Sequence, residues 1–82
     1  MKPLLEPIST EKAVMKIEAE NTLTFRTNKE SGKEDIRKEI EELFEVKVDK
    51  VRTFIRGNKK YAYVKLNKSS VALDTATKLG IM

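Results

Sequence analysis

The chain has 82 residues, 39% of them hydrophobic and 37% charged, with no cysteine, no histidine and a net charge of +4. That length supports a single domain, 1–82, burying roughly 60% of the surface that its unfolded chain exposes. The missing residue types exclude a disulfide framework, a thiolate zinc site and an imidazole base, and no apolar run approaches the ~20 residues that span a bilayer. Met1 to Pro7 lacks the apolar h-region of a secretory signal, so a soluble intracellular domain with no membrane partner is expected.

Pro7 stops any earlier helix, and Ser9 or Thr10 caps the next, in which Ala13, Val14 and Ile17 share a face out to about Glu20. Asn21 marks the break. Thr22 to Thr27 alternates, with Leu23 and Phe25 facing one way and Thr24 and Arg26 the other. Ser31-Gly32-Lys33-Glu34 reads as a capping box. It opens an amphipathic helix with Ile36, Ile40, Leu43 and Phe44 on its apolar face and Glu34, Asp35, Glu39, Glu41, Glu42 and Glu45 on the other. The following β-rich stretch changes phase, Val46 and Val48 against Val51, Thr53 and Ile55, which predicts a bulge near Asp49-Lys50. Gly57-Asn58 forms a two-residue type II′ turn, and Lys60 to Leu66 returns as the partner strand. Ser69 or Ser70 caps a last helix carrying Val71, Leu73, Ala76 and Leu79, with Gly80 at its C-terminal end.

The expected class is α+β in the order α-β-α-β-β-α. A small, mostly antiparallel three-stranded sheet carries helices on one face. A helical crossover leaves the first two strands parallel neighbours or separates them by the third.

Charge is unevenly distributed. Residues 30–45 hold three Lys/Arg against seven Asp/Glu, whereas residues 46–68 hold eight against one. A basic block of that density is a candidate polyanion footprint; its bland counterpart is a solvated edge guarded by Lys and Arg. If Leu23, Phe25, Val51, Ile55, Ala62, Val64 and Leu66 face the helices, alternation puts Arg26, Arg52, Phe54, Arg56, Tyr61, Tyr63 and Lys65 on the other face. Rings among cations suit RNA, although half-buried strand tyrosines with wet hydroxyls are also ordinary. The helical carboxylates read as a solvated face rather than a metal site. The three glycines form no phosphate loop, and Ser9 and Thr10 are explained as caps, so neither catalysis nor a cofactor is expected.

Four segments, taken in order, resemble the large ribosomal subunit protein twenty-three family. They are Pro7-Ile8-Ser9-Thr10-Glu11-Lys12, Lys33 to Val48, Val51-Arg52-Thr53 and Lys59 to Leu66, a resemblance running from about Pro7 to Gly80. It implies a structural protein bound to the third domain of large-subunit rRNA at the rim of the polypeptide exit tunnel. The implied neighbours are large-subunit protein twenty-nine, signal recognition particle and nascent-chain factors. The sheet-face pattern and the resemblance together lead to RNA contacts expected at Lys12, Arg26, Lys33, Lys47, Lys50, Arg52, Arg56, Lys59, Lys60, Tyr61, Tyr63 and Lys65, and the resemblance implies factor docking at Glu11. The tunnel loop of bacterial members is reduced here to Gly57-Asn58, as in archaeal members, and Arg52 replaces the family's asparagine. A free single-strand RNA binder is the rival, but it should carry the glycine-bearing aromatic motif that Lys60 to Leu66 lacks. A protein–protein adaptor, the third reading, predicts no salt-dependent RNA affinity.

Overall fold

The computed structural model describes residues 3–80. Among these residues four strands, β1 (Glu6–Pro7), β2 (Thr22–Thr27), β3 (Val48–Arg56) and β4 (Lys59–Leu66), and three helices, α1 (Glu11–Glu20), α2 (Lys33–Phe44) and α3 (Ala72–Leu79), follow in the order β1-α1-β2-α2-β3-β4-α3. The sheet order is β1-β2-β4-β3, and every pairing is antiparallel. The α+β class is as expected, but the strands number four and the element order begins with β1. That strand is only two residues long, too short for any alternation to announce it. β2 and β3 are separated by β4, the second of the two expected arrangements.

The core lies between the sheet and the helices. Phe25, Leu23, Ile36, Ile40, Leu66 and Val64 are its largest fully buried side chains, each contributing about 1.5–3 kcal/mol through the apolar area it removes from water. Val48 and Val51 are both buried on that side, a spacing of three that a regular strand cannot provide. The expected bulge reconciles them: Val48 pairs with Leu66, whereas Lys50 pairs with Lys65 and Val51 with Val64. At the hairpin, Arg56 faces Lys59 and Gly57 takes φ 64°, as glycine at the first turn position requires.

Several local expectations are corrected. The N-cap of α2 is Gly32, and Asp35 Oδ2 accepts the Gly32 N–H at 3.4 Å, while Ser31 turns its hydroxyl to Asn28 Oδ1 instead. Neither Ser69 nor Ser70 caps α3. Its N-cap is Val71, and the Ala72 N–H donates to Asn21 Oδ1 at 2.7 Å. Asn21 Nδ2 donates to the carbonyls of Leu66, Asn67 and Ser70, so one residue ties the end of α1 to the end of β4 and the start of α3. Thr10 does cap α1, its Oγ1 accepting the Ala13 N–H at 3.3 Å, and Gly80 ends α3 in the left-handed conformation.

Leu43, Ile55, Val71 and Leu73, expected to face the core, are exposed. Ile55 keeps the phase of Val51 but lies at the hairpin end, opposite Lys60. Periodicity assigns a face but not the point at which the covering layer ends. The helices are also not confined to one side. Ile17 of α1 joins the core cluster, yet its neighbour Lys16 reaches over the ring of Tyr63 on the opposite face. As α1 straddles the margin of β2, Thr22 and Thr24 are buried too, though less completely than Leu23 and Phe25.

Candidate nucleic-acid interface

The face of the sheet turned away from α2 is built in rows across the strands. One row runs Glu6, Arg26, Tyr61, Phe54; the next runs Thr24, Tyr63, Arg52; a third runs Thr22, Lys65, Lys50. Arg56 and Lys59 close it at the hairpin. All seven residues expected there from alternation are on this face, Phe54 included, because the bulge restores its phase.

The aromatic residues pack against one another. The Phe54 ring lies 5.2 Å from that of Tyr61 at an interplanar angle of 20°. It lies 5.0 Å from that of Tyr63, tilted by 32°. Lys16 Nζ sits 4.8 Å from the Tyr63 centroid, a cation–π contact. Each ring is half-buried. Phe54 therefore already offers its ring to two tyrosines, and Tyr63 has Phe54 and Lys16 as neighbours.

The cations differ in how free they are. Arg26 is held by Glu6, Nε to Oε2 at 3.4 Å. Among the described residues Lys50, Arg52, Arg56, Lys59 and Lys65 enter no ion pair, and all five are exposed. Lys12 is exposed on α1 and lines the groove between that helix and the aromatic rings, with Ile8, Thr10, Thr24 and Arg56. Glu11 is exposed at the start of α1.

Three of the expected RNA contacts lie elsewhere. Lys60 points to the helix side, where its Nζ donates to the carbonyl oxygens of Ser31 at 2.6 Å and Lys29 at 3.4 Å. It locks the β2–α2 loop. Lys33 opens α2, in the helical layer. Lys47 precedes β3, and its N–H donates to Ser70 Oγ at 3.0 Å. Conversely, Lys16 belongs to the basic face but escaped the sequence reading. Four residues before Glu20, with which it pairs at 3.3 Å, it looks like an ordinary helix-surface lysine.

The acidic residues of α2 lie in the other layer. Arg37 pairs with Glu34 at 3.1 Å, and Glu41 accepts the Val48 N–H at 3.1 Å, anchoring the start of β3. Among the described residues no three carboxylates converge as a metal site would need, and no helix is long and apolar enough to cross a membrane.

A family model described as Ribosomal protein L23 matches residues 2–78. The large ribosomal subunit protein uL23 of Trypanosoma brucei brucei is 49% identical over 78 residues, covering 93% of this chain and 47% of the relative. The chain thus spans about half the length of that relative.

Proposed function

This chain belongs to the ribosomal protein L23 family, and from that premise we propose that it is a structural, non-catalytic constituent of the large ribosomal subunit that binds large-subunit rRNA through the open face of its sheet. The observation that carries the assignment of that face is the set of exposed cations on it, Lys50, Arg52, Arg56, Lys59 and Lys65, without carboxylate partners among the described residues. Phosphates neutralise such a set and release counterions. The acidic helix α2 occupies the opposite layer and repels the same polyanion, so the domain docks one way round.

The internal packing of the aromatic rings favours folded RNA over an extended strand. A base-stacking platform needs free ring faces, whereas the Phe54 ring is shared between Tyr61 and Tyr63, and Lys16 covers Tyr63 in the free protein. They act as a spacer that holds the flanking cations at fixed separations, suited to reading the shape and backbone of a folded RNA. The family resemblance supports placing the domain on the third domain of the rRNA at the exit-tunnel rim, in the cytoplasmic ribosome, beside large-subunit protein twenty-nine. There, exposed Glu11 contributes to the docking of signal recognition particle or nascent-chain factors.

The test is a salt titration of binding to a folded large-subunit RNA fragment, beside an unstructured RNA of equal length. Preference for the folded fragment with a steep salt slope is expected. Equal affinity for both RNAs returns the strand binder, and no binding returns the adaptor. The double reversal Lys59→Glu with Lys65→Glu should abolish binding while the circular-dichroism spectrum is unchanged. Reversing Glu11 should leave RNA affinity intact and weaken factor recruitment; loss of RNA affinity there would mean that the two surfaces are not separate.

A further inference from the structure

We propose that Lys16, Lys50, Arg52 and Lys65 form one discrete subsite for a single RNA backbone phosphate beside Tyr63, a refinement that rests on the RNA-binding reading above. These residues line one concavity between the C-terminal half of α1, the bulged start of β3 and the end of β4, with Glu20 the one carboxylate among the described residues that line it. Glu20 is already committed to Lys16.

The bulge assembles the subsite. Continuing the register in which Val48 faces Leu66 would set Asp49 opposite Lys65, an attractive cross-strand pair. The register shift sets Lys50 there instead, and Asp49 Oδ1 accepts a hydrogen bond from Asn67 Nδ2 at 2.8 Å. Two lysines directly opposite one another repel. In the neighbouring row Arg52 sits across from Tyr63, which stands next but one to Lys65. Thus the fold brings three cations together at a cost to itself, and an anion relieves that cost.

Lys16 completes the site from the helix. Its side chain is 31% exposed, and of its two partners, the Glu20 carboxylate and the Tyr63 ring, the ring is the one that a phosphate can replace. A charge-assisted hydrogen bond to phosphate is shorter and stronger than a cation–π contact at a surface. Binding therefore swings the ammonium off Tyr63 onto the phosphate, and the carboxylate of Glu20 sets how easily it leaves.

The test uses the whole chain and the folded RNA fragment. Lys16→Gln, Lys50→Gln, Lys65→Gln and the pairwise doubles are compared with Lys78→Gln on α3. Each single change in the subsite should weaken binding about fivefold to tenfold. The doubles should lose less than the product of the singles, because the cations share one ligand. The salt slope should fall by about 0.7–0.9 in total, the increment for one phosphate. Lys50→Gln should also raise the melting temperature of the free protein while lowering affinity, the signature of a repulsion kept for a ligand. Tyr63 ring protons should shift on RNA binding in the wild type and much less in Lys16→Gln. Additive losses with a slope change near two units would mean separate phosphates and overturn the single subsite, as would effects no larger than that of Lys78→Gln. Wild-type protein that binds no folded RNA would overturn the broader reading as well.

Discussion

Replacing Asn21 by glycine measures what one side chain contributes to holding three elements together. Asn21 adopts φ 52° and ψ 38°, its Oδ1 accepts the Ala72 N–H at 2.7 Å, and its Nδ2 reaches carbonyls at 2.9, 3.2 and 3.3 Å. An amide has two protons, so the three carbonyls share about two hydrogen bonds' worth of donation, about 1 kcal/mol each. The cap of α3 adds about 1 kcal/mol. Glycine keeps the left-handed backbone and forfeits all of this, so Asn21→Gly should cost about 3 kcal/mol. Asn21→Ala adds the steric penalty of the left-handed region, roughly 1 kcal/mol more. At ~0.05–0.15 kcal/mol per residue, a domain of this size has a total stability of about 4–12 kcal/mol, so the alanine variant should lose between about a third of it and all of it. Urea unfolding gives the differences directly, and the glycine variant should melt about 12–24 °C lower. An Asn21→Gly variant within about 0.5 kcal/mol of wild type would refute the assignment, leaving only the backbone conformation to account for asparagine at this position.

Thr24→Val should be neutral or stabilise by up to about 1 kcal/mol in urea unfolding, because Thr24 Oγ1 is buried without a hydrogen-bond partner among the described residues; destabilisation would mean that the hydroxyl has one. Glu45→Gly should stabilise by about 0.5–1 kcal/mol. Glu45 ends α2 at φ 52°, where glycine is unstrained, and its charge lies at the unfavourable end of the helix dipole; an unchanged midpoint would refute this. Lys60→Met should destabilise by about 1–2 kcal/mol through the two carbonyls it leaves, Lys29 and Ser31, while the salt slope of RNA binding stays unchanged. A fall in that slope would return Lys60 to the RNA-contacting set.

The parts of the fold that were legible in the sequence are those set by local pattern. Alternation in Thr22 to Thr27 and Lys60 to Leu66, the phase change at Asp49-Lys50 and the glycine of the Gly57-Asn58 turn are enough to put Arg52, Phe54, Arg56, Tyr61 and Tyr63 on one face. What was not legible depends on residues far apart in the chain. Asn21 caps α3 across 51 positions, a contact that no local motif encodes, and serines near the helix start drew the cap instead. Lys60 has the composition of a basic-face residue, but its phase in β4 turns it toward Ser31. Lys16 enters the basic face only because α1 crosses the margin of β2, a matter of helix docking rather than of spacing.

One geometric constraint links the core to the cationic face. Val48 and Val51 must both be buried, and three residues of regular strand would turn them to opposite sides. The bulge absorbs one residue and solves the packing problem. The same residue shift turns Lys50, Arg52, Phe54 and Arg56 outward together, since every side chain after the bulge changes face. Had β3 kept the register of Val48, Val51 would be exposed, Arg52 and Phe54 would point into the helices, and Asp49 would neutralise Lys65. That alternative buries an arginine without a partner, a cost of several kcal/mol, so the register is strongly specified. The cationic face is therefore a consequence of how the core packs, and variants that disturb Val48 or Val51 should weaken RNA binding even though neither side chain lies on that face.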